Sequence, residues 1–436
     1  MHADGEIWSA TNIRVRAALV KRYGQGTPSK QLDCAIGKVA VEKCPGNRRW
    51  TQLVFDSYLL QAASSVSMLD MRDNLLAADQ LRFGGANQDI IWNAFAVSGM
   101  GRDAATNGAA DTDPTPSFAS PHARNVTVQL KPDGASEGAP VRLYLGDYEA
   151  RAVPVADTDP ATPLPDSFEV IEGTKFSFLA VAPGFGHTRF SKEFKAGKGR
   201  HADKPVTLEL KLDRNLASAA SGATVAGDGV NTTALVDDTE ATNWASLDGV
   251  VGKQVTVDLA GDRPQTVRRV NVSAYLRPPN PANTADPASQ NALSALRSFA
   301  VLACDASRVD CSVDANYRKV YTSRSDAFPG GKYRAYSRDI NLRSFDIPRT
   351  VATHLRIQVL DSQCTGGPEY AGEQDNDPAT TTDCTTASPA RTHVRIAEFQ
   401  AFGSWFPIAE GPLPIVVTIG RALRCRRSAR FDHQSG

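Results

Sequence analysis

Apolar positions in the first hundred residues recur at three- and four-residue intervals, the period of a helix with one buried face. From Gly5 to Tyr23 the residues Trp8, Val15, Ala18 and Leu19 share a face, and Gly24 is a natural stop. A second helix is expected from about Arg49 to Ala63, with Trp50, Leu53, Val54, Ser57 and Leu60 along one side. Ser67 is placed to cap a third over Met68 to Leu81, with Asp70 in its first turn favoured by the helix dipole. A fourth, about Asn87 to Val97, carries Ile90, Ile91, Ala94 and Phe95 and ends near Gly99. Residues 1–103 therefore read as a helical unit of four helices.

Residues 104–121, with Asp-Thr-Asp-Pro-Thr-Pro, read as a linker. Beyond it the period falls to two, as in Val126-Thr-Val-Gln-Leu, Val141-Arg-Leu-Tyr-Leu and Val206-Thr-Leu-Glu-Leu-Lys-Leu. Such alternation marks half-buried antiparallel strands. Residues 122–213 read as a small β-sandwich, most simply a spacer. Residues 215–403 hold further strands, among them Gln254-Val-Thr-Val-Asp-Leu, Arg269-Val-Asn-Val-Ser-Ala-Tyr and His354-Leu-Arg-Ile-Gln-Val-Leu, interrupted by polar loops at about 277–295 and 361–391. Residues 404–436, an apolar run and then a basic stretch, read as a poorly ordered tail.

Composition bounds what such a chain does. Its 436 residues suit about three domains at roughly 150 residues each. Lysine plus arginine (48) balance aspartate plus glutamate (48), which argues against a nucleic-acid partner or a polybasic membrane module. No apolar run approaches the roughly 18 residues of a membrane span. The start, Met1 to Trp8, has no charged n-region or apolar h-region, so no secretory signal is read there. The cysteines point to an oxidising compartment: Cys34 with Cys44, Cys304 with Cys311 and Cys364 with Cys384 are local pairs suited to clipping loops, the alternative being six unrelated buried thiols. Cys425 is left over. Together these features imply further sequence upstream of Met1.

No complete catalytic constellation occurs. The seven histidines, at 2, 122, 187, 201, 354, 393 and 433, include no two four apart, so no His-Glu-x-x-His exists. A nucleophile elbow, a phosphate-binding glycine loop and a zinc-ribbon cysteine spacing are likewise missing.

The first hundred residues nonetheless carry a resemblance. His2-Ala-Asp-Gly-Glu-Ile-Trp-Ser-Ala-Thr, then Arg16-Ala-Ala-Leu-Val-Lys-Arg-Tyr-Gly, Asp70-Met-Arg-Asp-Asn-Leu-Leu-Ala-Ala-Asp79 and Gly85-Ala-Asn-Gln-Asp-Ile-Ile-Trp-Asn-Ala-Phe-Ala, closing in Ser98-Gly-Met-Gly101, resemble the C-terminal helical half of fungalysin-type zinc metallopeptidases. The family is thermolysin-like, with two histidines and a glutamate on zinc and a second glutamate as general base. The resemblance implies that all four would precede Met1 and that this stretch of chain is inactive alone, whether through an internal start or a broken gene. Of the catalytic apparatus it leaves His2, as a hydrogen-bond donor to the developing oxyanion. Asp70, Arg72, Asp73 and Asp79 are expected to serve as caps and helix-surface ion pairs.

A second resemblance covers 215–403. Ala234-Leu-Val-Asp-Asp-Thr-Glu-Ala-Thr-Asn-Trp-Ala-Ser246, the strand at Gln254 and the closing Arg395-Ile-Ala-Glu-Phe-Gln-Ala-Phe-Gly403 are similar to discoidin-like (coagulation factor type C) domains, which are galactose-binding-like jelly rolls. It implies a structural calcium held by Asp237, Thr242 and Glu398 with backbone carbonyls, hard oxygen ligands that suit that ion. Asp238 stands where the family has glycine. The fold expected is thus multi-domain: an α-helical C-terminal lobe of a metallopeptidase, a small β-sandwich, then a discoidin-like β jelly roll. The function expected is the C-terminal portion of a secreted zinc metalloendopeptidase acting on protein or peptide substrates. The alternative is a non-catalytic extracellular protein that binds glycans or cell surfaces.

Overall fold

The computed structural model describes residues 2–403 apart from 62–64, 148, 151, 198–203, 278–281, 288–290, 330–339, 368–369, 374–378, 380 and 387; for residues 2–4 it describes the backbone alone. The tail at 404–436, with Cys425, lies outside the described residues.

Five helices form the first region: α1 (His2–Tyr23), α2 (Pro28–Ala35), α3 (Gly46–Leu59), α4 (Met68–Phe83) and α5 (Gln88–Val97). The sequence pattern anticipates four of them. It misses α2, which buries no residue and so has no apolar stripe; Thr27 caps it and Pro28 opens it. Val15, Leu19, Leu53, Leu75, Ile91 and Phe95 build the core. α1 and α3 touch backbone to backbone, because a Cβ on Gly46 would stand 2.2 Å from the Leu19 carbonyl oxygen. Ser67 and Asp70 form a reciprocal capping box that starts α4, and Gly84, at φ 60°, ends it in the left-handed conformation.

The expectation of surface ion pairs fails for Asp79 and holds only partly for Arg72. Asp79 is fully buried and accepts the Asn87 backbone N–H at 2.9 Å and its side-chain amide at 2.6 Å, fixing the entry to α5. Arg72 pairs with Asp73 but is itself buried; it donates to the Met100 and Gly101 carbonyls and lies under the Trp92 ring. A carboxylate that spends its acceptors on backbone N–H groups is tolerated inside.

Residues 100–119 are ordered against both neighbours. Met100 bridges Ser117, Ala105 bridges Thr115, and Phe118 bridges Val170 of the next domain. Arg102 pairs with Glu169 at 3.0 Å.

Among the described residues the first sandwich has seven strands. β1 (Asn125–Pro132), β2 (Arg142–Leu145), β3 (Ala156–Asp157) and β4 (Ser167–Ile171) come first, then β5 (Lys175–Val181), β6 (Thr188–Glu193) and β7 (Val206–Leu210). One sheet has the order β4-β1-β7 and the other β3-β2-β5-β6. The β1–β7 pair is parallel. Between the sheets lie Val128, Leu143 and a group of phenylalanines, with Phe178 stacked on Phe190 at 5.4 Å.

Ten strands follow. β8 (Thr224–Gly227), β9 (Trp244–Ser246), β10 (Gln254–Asp258), β11 (Gln265–Ser273) and β12 (Leu296–Cys304) precede β13 (Arg318–Thr322), β14 (Arg343–Ala352), β15 (His354–Ser362), β16 (Val394–Ile396) and β17 (Glu398–Phe402). An antiparallel sheet β13-β12-β15-β10-β8 shares one core with the sheet β14-β11-β17 and the pair β16-β9. Trp244 fills that core and donates its indole N–H to the Asp228 carbonyl at 2.6 Å. All three expected cysteine pairs are disulfides. Among the described residues no helix is long and apolar enough to cross a membrane.

Candidate cation site at the joint between the two sandwiches

The loop after the 3-10 turn Thr232–Leu235 carries Asp237, Asp238 and Glu240, and Glu398 begins β17. Asp238 adopts φ 62°, the left-handed region where the resembled pattern has glycine. Its side chain does more than tolerate the turn. One oxygen accepts the Gly184 N–H at 2.8 Å and the Ser218 hydroxyl; the other accepts the Asn215 amide at 3.0 Å.

Asp237 and Thr242, two of the three expected ligands, are brought together, with the Thr242 hydroxyl donating to Asp237 at 2.6 Å. Asp237 keeps an open side to solvent. The protein packed behind its carboxyl, opposed by the Thr242 and Thr239 hydrogen bonds and joined by the charges of Asp238 and Glu149, raises its pKa to about 6. Glu398 is fully buried; neither carboxyl oxygen receives a hydrogen bond of good geometry, and the side-chain amide of Gln400 lies beside it. Burial first, then repulsion from Asp238 and Asp237, pushes its pKa well above the usual carboxylate range. A buried carboxyl so poorly supplied with donors is costly unless protonated or neutralised by a cation. Among the described residues no three His, Cys, Asp or Glu side chains converge to hold a metal by themselves. An ion here would rely on the Thr242 hydroxyl and backbone carbonyls besides its carboxylates. His2 stands in the first turn of α1, and its side chain lies outside the described residues.

The surroundings belong to both sandwiches, a feature the sequence did not disclose. Glu149, from the segment between β2 and β3, accepts the Thr239 hydroxyl at 2.8 Å and the Glu240 N–H. Although burial opposes it, these donors and His187, 3.6 Å away, hold Glu149 below the usual carboxylate range. His187 also meets Gln400 of β17 at 2.7 Å through Nδ1. Arg189 of β6 pairs with the fully buried Glu240 at 2.8 Å, and Glu240 accepts the Ser273 hydroxyl at 2.5 Å and the Leu342 N–H at 2.6 Å. Asp213 pairs with Arg269 at 2.8 Å. Gly186 lies so near Phe402 that a Cβ would stand 2.3 Å from its ring. The only advance signal among these residues was Asp238, an acid in a glycine's place.

The comparisons with known proteins divide along the same lines. A family model described as fungalysin metallopeptidase (M36) matches residues 1–104. Over 104 residues the segment is 32% identical to the extracellular metalloproteinase MEP of Pyricularia oryzae, and over 107 residues 30% identical to extracellular metalloproteinase 4 of Arthroderma gypseum. Each match covers 24% of this chain and 16% of the relative, so the chain spans about a sixth of the length of these curated proteins. Among solved structures, the carbohydrate-binding module CBM32 of AlyQ in complex with 4,5-unsaturated mannuronic acid aligns with 42% of this chain and 94% of its own, at 17% identity and a TM-score of 0.24. Chitosan-binding module 1 from a Paenibacillus chitosanase/glucanase covers 44% and 99%, at 18% identity and a TM-score of 0.25. The two-sheet architecture assigned to residues 215–403 rests on their own strand order.

Proposed function

We propose that residues 1–104 form the C-terminal half of the catalytic unit of an extracellular zinc metalloendopeptidase, and that the two sandwiches are its accessory binding part. The observation that carries this reading is the surface of the matched segment. Eight of the thirteen large apolar residues exposed among the described positions lie in it, including Leu59 (84%), Leu81 (75%) and Phe55 (64%). An isolated bundle would bury such side chains; half of a two-lobed enzyme presents them to the other lobe. In the complete enzyme, zinc would supply an activated water for peptide hydrolysis. His2 would donate a hydrogen bond to the oxyanion that forms. The 436 residues alone, lacking His-Glu-x-x-His, hold no zinc by that motif and cleave no protein.

Isolating the native protein from its source tests this. A longer chain with stoichiometric zinc and chelator-sensitive proteolysis is expected. A native chain beginning at Met1 and inert with added zinc would leave the alternative, a non-catalytic extracellular protein that docks on glycans or cell surfaces through the second sandwich.

Within that sandwich we infer a structural calcium held by Asp237, Thr242 and Glu398. It is supported by the buried, poorly hydrogen-bonded Glu398 carboxyl and by the contact that brings the Thr242 hydroxyl onto Asp237. Calcium binding only the folded state raises the melting temperature by linkage. Identical melting in calcium and in chelator would remove it.

A further inference from the structure

On the outer face of the sheet β13-β12-β15-β10-β8 lies an open groove of roughly 560 Å³, most of whose lining residues are polar. Its floor is one cross-strand row, Ala226–Thr256–Arg356, while the alternate residues Val255, Val257, Leu355 and Ile357 face the core. Small side chains at Ala226 and Thr256 keep that floor low. The wall is the loop from Cys304 to Tyr317, clipped by the Cys304–Cys311 disulfide and by an Asn316 amide bond to the Asp310 carbonyl at 2.8 Å.

Arg356 is locked in place. It donates to Thr256 and to Asp314, each at 2.8 Å, and its guanidinium lies over the Tyr317 ring at 3.7 Å. Tyr317 also lines the groove, and its hydroxyl lies beside Thr256 and Arg356. Asp228 accepts the Gln254 N–H at 2.9 Å, and Ser312 holds Asp310 below the usual carboxylate range. Asp314 is matched by Arg356, but among the described residues no cation pairs with Asp228 or Asp310. The groove thus offers amide, carboxylate and hydroxyl groups on rigid elements, with a surplus of negative charge.

We propose that this groove binds a short stretch of glycan built from amine-bearing or neutral sugar rings. Planar carboxylate and amide groups match the vicinal hydroxyls of a sugar, each able to take two neighbouring groups. The unmatched Asp228 and Asp310 favour an ammonium substituent and repel uronic or sulfated rings. Gln254 and Asp310 are the specificity residues; Arg356, spent on Thr256, Asp314 and Tyr317, positions the loop. The inference rests on the reading of the second sandwich as a glycan-binding module and adds where, and for which sugar chemistry.

The test is calorimetric titration of the full chain with the glucosamine trimer, the N-acetylglucosamine trimer and a galacturonic acid trimer. The expected order is amine, then neutral, with no binding of the acid. Gln254→Ala and Asp310→Asn should each weaken binding about tenfold without changing the melting temperature, while Asp262→Asn, exposed elsewhere, should not. Binding that persists unchanged in both groove variants would overturn this site and leave the glycan reading standing. No binding of any trimer would overturn the site, and so would a lysine-rich peptide that binds more tightly than the sugars.

Discussion

The helical region and the paired sandwiches solve the same burial problem to different degrees. In the sandwiches, facing sheets enclose their apolar residues, and two ion pairs cross between the domains: Arg189 with Glu240, Arg269 with Asp213. The helices close one core around Leu19, Leu53 and Phe95 yet leave Ile7, Ile13, Phe55, Leu59 and Leu81 outside. A closed core beneath a bare apolar surface is what the proposed reading, one lobe of a two-lobed enzyme, requires. What ties the two regions is the strap at 100–119, together with Val97 packed on the first sandwich core.

The comparison breaks most visibly in hydrogen exchange of the full chain. α1–α4 should exchange orders of magnitude faster than β11, β12 and β15, because regions with less buried apolar area open at lower free energy. Equal protection would identify the helices as a self-sufficient bundle. Next in size, Trp244→Ala should destabilise the second sandwich by roughly 3–5 kcal/mol, the cost of emptying a large core position, measured by denaturant unfolding with or without calcium. Arg189→Ala should cost about 3 kcal/mol, since it leaves Glu240 buried without its cation. A smaller loss with independent melting of the two sandwiches would show the joint to be incidental.

Calcium at a hundred times its dissociation constant should add about 2.7 kcal/mol, lost in Asp237→Ala and in Glu398→Gln. The pH dependence follows from the raised carboxyls. Without calcium, Asp237 holds its proton up to about pH 6 in the folded chain but only to the ordinary carboxylate range when unfolded. Its contribution to stability is therefore complete below the unfolded pKa and lost as pH rises through 6. Calcium competes with those protons, so its effect on melting should be largest above pH 7 and shrink below 6. A calcium effect that grows on acidification would contradict the site. The smallest effect is Ser67→Ala, which removes the capping box of α4 and should cost about 1 kcal/mol. A change of that size confined to helical exchange, with the β-domains untouched, would sharpen the boundary between the regions.

Local order was legible in the residues themselves. The 3.6-residue and two-residue periods placed the apolar helices and many of the strands, because each side chain's direction repeats with its own backbone. Ser67 with Asp70 announced a cap, and cysteines 7 to 20 positions apart could find one another across short loops. α2 escaped because it buries nothing. Asp79 looked like a surface acid because its partner, the Asn87 N–H, is supplied by a turn whose path no periodicity encodes. The contact of Thr242 with Asp237 was readable as a motif, whereas the clamp around that loop was not. Glu149, His187 and Arg189 sit in the first sandwich at ordinary-looking positions, and only docking sets them against Thr239, Gln400 and Glu240. Charges that are buried by association carry no pattern along the chain, since the desolvation that gives them weight exists only once the two domains meet.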